Sequence, residues 1–193
     1  MKPKISVFLG DIATLQVDVV VNSANRSLLA GSGVCGAIHR AAGKELEREC
    51  RIIGHCEVGE VVPTKGYCLP ASHVIHTVGP LYGRENGRES LLLAQCYKAS
   101  LALAEKLECD SIAFPSISTG THAFPIDDAA SVVADVFADY QEKKAARIKQ
   151  IVMTTYSESD YQAYFDAFEK AGIQLSEIVD PTGASIDTPV IGS

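Results

Sequence analysis

The run Val17-Asp18-Val19-Val20-Val21, followed at once by Asn22-Ser23-Ala24-Asn25 and then by glycine-bounded helical sequence up to Gly43, most restricts what this chain can fold into. Five residues that are apolar apart from Asp18 match a strand buried on both faces, and such a strand needs a covering layer on either side. Asn22 and Asn25 fall where the strand ends, which is where open α/β sheets hold ligands. Ala30-Gly31-Ser32-Gly33 lets backbone approach a ligand closely, and residues 34–42 read as a helix whose first turn offers unpaired N–H groups. Such a helix start binds phosphate without a lysine. The plainer alternative is a strand-to-helix crossover in which the glycines only make room for packing.

The rest of the chain repeats this alternation. Further strands are expected at residues 5–9, 58–62, 73–78, 111–114 and 148–154, with the one above extending over 17–22. Leu92, Cys96, Ala99, Leu103 and Leu107 recur at helical spacing within 88–107, as do Ala129, Val133, Val136 and Tyr140 later. A last helix over 159–171 has Tyr161, Tyr164, Phe165 and Phe168 as its apolar stripe and Gly172 as its stop. Strands interleaved with helices indicate an α/β sandwich. Residues 1–175 are read as one domain and 176–193, rich in Pro, Gly, Ser and Thr, as a tail.

Composition narrows the function classes. A net charge of −7 and the lack of clustered Lys and Arg argue against a nucleic-acid surface, so an anionic ligand must be held by local N–H groups. The six cysteines are scattered without a Cys-x-x-Cys pair, which points to free thiols in a reducing compartment and to no metal. The first residues carry no long apolar segment, and no stretch approaches the roughly 18 to 20 residues that span a bilayer. A soluble, cytoplasmic protein without a membrane partner is expected.

Four segments belong together if a nucleotide is bound. Gly10-Asp11-Ile12 follows the first strand, where Asp11 could accept from an exocyclic amine and the next amide could read a ring nitrogen; taken alone, Asp11 reads better as a turn or cap residue. The stretch 22–36 is the second. Phe114-Pro115-Ser116-Ile117-Ser118-Thr119-Gly120-Thr121-His122-Ala123-Phe124 is the third, a strand end running into a polar loop. The fourth is Tyr156, whose ring could lie on a base, although alone it reads as a packing residue.

In this order, with Gly-Val-Cys-Gly-Ala-Ile-His-Arg-Ala-Ala-Gly at 33–43, Leu-Pro-Ala at 69–71, Ile-His-Thr-Val-Gly-Pro at 75–80 and Phe-Pro-Ser-Ile-Ser-Thr-Gly at 114–120, the chain resembles the macro domain family. The resemblance is to the branch of ADP-ribose hydrolases and O-acetyl-ADP-ribose deacetylases, and it covers about nine-tenths of the sequence. It implies a three-layer α/β/α sandwich with a mixed, mostly parallel sheet, ADP-ribose over the strand ends, mono-ADP-ribosylated proteins as partners and no cofactor. By the same resemblance Asp11 and Ile12 would read the adenine and Tyr156 lie against it. Asn22, Gly31, Ser32, Gly33, Val34 and Gly36, with Ser118, Thr119, Gly120, Thr121, His122, Ala123 and Phe124, would bind the ligand, the two loops holding the diphosphate. Asn25, Cys35 and His39 would be the catalytic residues, with Asn25 on the distal ribose.

The chain departs from the family pattern at Cys35, where that branch usually has an acidic residue, although viral macro domains with cysteine there are hydrolases. It departs also at Ala30 and Ser32, and at Thr121-His122-Ala123 in place of Val-Tyr-Gly. Cys35 and His39, four residues apart on one helix face, raise the further reading of a nucleophile pair, against which His39 reads as a buttress of the loop through a hydrogen bond. His76, inside a strand, reads as a core or ligand-adjacent histidine rather than a metal ligand. Three functions remain: a hydrolase of ADP-ribosyl esters on acidic side chains or of O-acetyl-ADP-ribose, a reader that binds without cutting, and a dehydrogenase, because Gly31 to Gly36 fits G-x-G-x-x-G. The dehydrogenase is the weakest, since those glycines begin nine positions after Asn22 rather than at the strand end.

Overall fold

The computed structural model describes residues 2–177. Most of the expected tail, 178–193, lies outside the described residues. Six strands form one sheet: β1 (Lys4–Leu9), β2 (Val19–Ser23), β3 (Val61–Lys65), β4 (His73–Thr77), β5 (Ser111–Pro115) and β6 (Gln150–Thr155), in the order β1-β6-β5-β2-β4-β3. All neighbours are parallel except β3, which runs antiparallel to β4 at one edge. Five helices accompany it: α1 (Gly33–Ala42), α2 (Lys44–Ile53), α3 (Glu89–Lys106), α4 (Ile126–Gln141) and α5 (Glu158–Lys170). The expected mixed, mostly parallel sheet of a three-layer sandwich is what the chain forms.

Alternation along each strand sorts the layers. Val19, Val21, Ile75, Ile112, Phe114, Ile151 and Met153 point into one cluster, where Tyr97, Phe137, Tyr164 and Phe168 from α3, α4 and α5 fill the space. Val20, Val74, Ala113 and Val152 point the other way, onto Ile38, Ala42, Leu46 and Cys50 of α1 and α2. Asp18, the polar interruption before β2, is a fastener between strands. Its Oδ2 accepts from the Asp110 and Ser111 amides at 2.8 and 2.9 Å and from the Ser111 hydroxyl at 3.0 Å. It thereby ties the entry of β2 to that of β5.

Three expectations are corrected. The strand expected at 58–62 forms three residues later, because Val58 makes only a single bridge with Val78 while Pro63 is accepted on the edge strand. The α3 stripe is rotated: Leu93, Cys96, Tyr97, Leu101 and Ala104 are buried, not Leu92, Ala99, Leu103 and Leu107. Helix α2 was not expected at all. Its sequence, Lys-Glu-Leu-Glu-Arg-Glu-Cys-Arg-Ile-Ile, buries only Leu46 and Cys50, and a charged face with acids in the first turn and Arg51 in the last completes it.

Candidate functional site

A cleft of about 420 Å³ lies over the ends of β2, β5 and β6. One wall is the loop 31–33 with the first turn of α1. Ser32 is the helix N-cap, yet its side chain makes no capping hydrogen bond, and Gly33 adopts φ of +58°. A Cβ on Gly36 would lie 2.4 Å from the Gly31 carbonyl oxygen, so only glycine there lets the loop fold back on the helix. The facing wall is the loop 118–122. Ser118 has φ of +68°, and a Cβ on Gly79 would meet its Oγ at 2.1 Å. A hydrogen bond of 3.0 Å between His122 Nδ1 and the Gly79 carbonyl fastens the loop to the segment after β4.

Of the residues expected to bind ligand, Gly31, Ser32, Gly33, Val34, Ser118, Thr119, Gly120, Thr121, His122 and Tyr156 line this cleft, with Asn25 and Cys35. Among the described residues its lining holds no Lys or Arg. Asn25 is held by its loop: Oδ1 accepts from Ser27 Oγ at 2.8 Å and the Leu29 amide at 3.2 Å, and Nδ2 donates to the Leu29 carbonyl at 2.8 Å. A Cβ on Gly31 would stand 3.6 Å from Asn25 Nδ2 and 3.7 Å from Cys35 Sγ, so the two side chains frame one small space.

The remaining expected residues lie outside the lining. Gly36 serves packing, as above. Ile12 is fully buried under a short 3-10 turn (Ile12–Thr14), and Phe124, 2% exposed, packs edge-on against Tyr82. Ala123, with φ of +53°, turns the chain away behind Gly120. Asp11 caps the 3-10 turn through the Ala13 amide and accepts from Tyr156 Oη at 3.2 Å. Burial and that contact push the Tyr156 phenol up to about 12, which keeps it a donor.

Asn22 and His39 belong to a buried polar group behind the cleft. Asn22 Nδ2 donates to Cys35 Sγ at 3.6 Å and stands 3.1 Å from His76 Nδ1, whose Nε2 is 3.0 Å from Thr64 Oγ1 and 3.8 Å from Cys50 Sγ. His39 does not take the role expected of it: among the described residues neither ring nitrogen has a hydrogen-bond partner, so it neither engages the Cys35 thiol nor buttresses the loop through a hydrogen bond. Burial draws its pKa down, against the opposing pull of Glu47. Nitrogen or sulfur atoms of His39, Cys50 and His76 lie within 4.8 Å of one another, a grouping that could hold a metal. Burial pushes the Cys50 thiol up to about 11 and, with His39 beside it, His76 down to about 3, so the group as hydrogen-bonded is neutral.

Ser23, Ala24, Pro115 and Ser116, which lie in the expected segments without a role of their own, and Thr154, Thr155 and Asp160, which were not expected, complete the lining. All but Asp160 sit at the ends of β2, β5 and β6, and the rule that located Asn25 would have found Thr154 and Thr155 at β6 also.

The macro domain model matches residues 21–133. A macro domain-containing protein from Mesorhizobium japonicum is 46% identical over 85% of this chain and 93% of its own length. The ADP-ribose glycohydrolase MACROD1 of Rattus norvegicus is 44% identical over 85% of this chain and 64% of its own. The Trypanosoma brucei macrodomain in complex with ADP-ribose superposes with a TM-score of 0.77, at 37% identity, over 84% of this chain and 68% of that one. The sequence match, the sheet and the amide-walled cleft over its strand ends agree, and this chain belongs to the macro domain family.

Proposed function

We propose that the protein binds ADP-ribose in this cleft and hydrolyses its esters, releasing mono-ADP-ribose from acidic protein side chains and acetate from O-acetyl-ADP-ribose. The observation that carries the reading is the convergence of Asn25 and Cys35 on one space beside the bare first turn of α1. The activity named for MACROD1 and the ligand in the Trypanosoma brucei complex support it. The diphosphate is held by N–H groups of 31–35 and 118–122, where a helix start and tight turns concentrate positive potential without a cationic side chain. Tyr156 and Asp11 then mark the adenine end, and Asn25 with Cys35 the distal ribose. For a protein ester at the anomeric carbon the carboxylate leaving group needs little acid assistance, so the site has chiefly to orient the ribose and present a water to that carbon; for O-acetyl-ADP-ribose, whose ester is on a ribose hydroxyl, the water is presented to the acetyl carbonyl instead. Asn25, clamped by Ser27 and Leu29, supplies the orientation; the substrate's own diphosphate takes the water's proton.

Six free cysteines, five of them buried, support a reducing, cytoplasmic setting. Among the described residues no helix is long and apolar enough to cross a membrane. The test is to incubate the protein with a substrate mono-ADP-ribosylated on glutamate and follow free ADP-ribose. Release that is lost in Asn25→Ala and raised in Cys35→Asp carries the proposal, whereas tight ADP-ribose binding with no release makes the protein a reader.

A further inference from the structure

Three metal-binding side chains meet behind the cleft, each from a different element. His39 comes from α1, Cys50 from α2 and His76 from β4, and one ligand atom of each lies within 4.8 Å of the others. None of them lines the cleft. The expectation that the chain carries no metal rested on spacing in the sequence, whereas folding brings these three together. His39 is the member that lacks a partner. It is 6% exposed, and among the described residues neither ring nitrogen has a hydrogen bond, although a neutral imidazole offers one donor and one acceptor. Bare polar atoms in a core are costly, and these belong to the group that faces Cys50 and His76. His76 turns Nδ1 to Asn22 at 3.1 Å and Nε2 to Cys50 Sγ at 3.8 Å. Ligand bonds of roughly 2.0 to 2.3 Å in a trigonal plane would set such atoms about 3.5 to 3.8 Å apart. The Cys50–His76 pair already has that spacing, and no hydrogen bond among the described residues opposes rotation of the His39 ring to complete it.

The donor set selects the ion. One thiolate and two neutral imidazoles carry a single negative charge, and Glu47 and Glu49, the carboxylates that act on Cys50, are engaged elsewhere by Arg51 and by Tyr67. A divalent ion would leave one positive charge uncompensated in the core, whereas a monovalent ion leaves none. Soft sulfur combined with imidazole suits copper in its monovalent state. We propose that His39, Cys50 and His76 form a site for one cuprous ion, held in a trigonal plane by the Cys50 thiolate and two neutral imidazoles. On binding, a copper–sulfur bond replaces the S–H bond and the thiol proton leaves to solvent, with no change in the oxidation state of either atom. The hydrogen bond between Thr64 Oγ1 and His76 Nε2, now 3.0 Å, gives way to a weak contact of that oxygen with the ion. Entry is through movement of α2, whose only buried side chains are Leu46 and Cys50. The bound ion then ties α1 and α2 to β4 outside the cleft, as a structural centre rather than a catalytic one.

The test loads the full chain, with Cys68→Ser to remove the exposed thiol, with the cuprous acetonitrile complex in the absence of oxygen. The loaded protein is then set in competition with the cuprous chelator bicinchoninate, and its copper X-ray absorption is recorded. One ion per chain with one sulfur and two imidazole neighbours is expected. Coordination by sulfur alone, as at Cys35 or another thiol, overturns the proposal. In the same background His39→Leu and Cys50→Ala are each expected to weaken copper retention by more than about 100-fold, the upper cost of losing a group that merely supports a ligand. Copper held by either folded variant as tightly as by the parent overturns the proposal. Zinc held as tightly as copper also overturns it, because charge is what selects the ion. None of these measurements involves turnover, so they stand apart from the hydrolase reading.

Discussion

The two faces of the sheet are filled by opposite kinds of chemistry. On the α3–α5 side, Tyr97, Phe114, Phe137 and Phe168 stand in successive ring contacts of 5.0 to 6.0 Å, and the polar atom among them, Tyr97 Oη, is satisfied twice, donating to the Pro115 carbonyl at 3.0 Å and accepting from the Ile117 amide at 3.2 Å. On the α1–α2 side the layer is thinner in aromatics and holds Asn22, His39, His76 and Thr64, with Asn22 Oδ1 and both His39 nitrogens left without partners among the described residues. The first face is arranged for stability. The second gives up some of it to place amides and a thiol beside the cleft, as strained or unsatisfied groups near functional sites commonly do.

Four experiments would break or sharpen that contrast. Phe137→Ala, deep in the aromatic face, should lower unfolding stability by about 3 to 5 kcal/mol in urea titrations while the folded protein keeps its ADP-ribose affinity; a matching loss of affinity would show that the faces are not separable. Acid should act on the other face. The pKa of His76 falls from 6.5 in the unfolded chain to about 3 when folded. Its contribution is therefore whole above pH 6.5 and is lost as pH falls toward 3, because the unfolded state then binds a proton the folded state refuses. The slope reaches at most about 1.4 kcal/mol per pH unit. Urea midpoints at pH 7, 5 and 4 should show this decline, with a flatter course in His76→Gln.

Smaller effects belong to the cleft itself. Asn25→Ala should reduce release of ADP-ribose about 10- to 100-fold in single-turnover assays, an amount expected when an orienting group is lost, with little change in melting temperature. Tyr156→Ala should weaken ADP-ribose binding about fivefold by calorimetry without altering kcat, since the ring sits at the adenine end.

How much of this was legible beforehand follows from which physical signals act locally. The strand and helix flanking the Asn22–Gly36 stretch show in hydrophobic period alone, and both form within a residue or two of where they were expected. Helix α2 left no such trace, because two buried side chains four residues apart make a stripe too short to recognise. The two glycine-containing loops that the sequence singled out, and the strand ends before them, come together as the walls of one cleft. The place of His39 was not legible, because whether its ring turns to the thiol or toward His76 depends on β4, an element more than thirty residues away that the chain brings beside it. Gly36, read as a ligand residue, lies instead against the Gly31 carbonyl five residues earlier, a fold-back of the loop that glycine spacing alone does not distinguish from ligand approach.

The chain after α5 returns to the sheet: Leu175 bridges to Ile5 in parallel, and the Ser176 amide donates to the Ile5 carbonyl at 2.8 Å. These few residues cover the outer side of β1, while at the far border β3 carries Pro63 and Lys65, which discourage pairing with another chain. A version cut before Leu175 would bare a row of β1 backbone groups. Its defect would appear as self-association on concentration rather than as a damaged cleft, so the ordinary worry in trimming such a domain, loss of ligand, would be the wrong one to monitor.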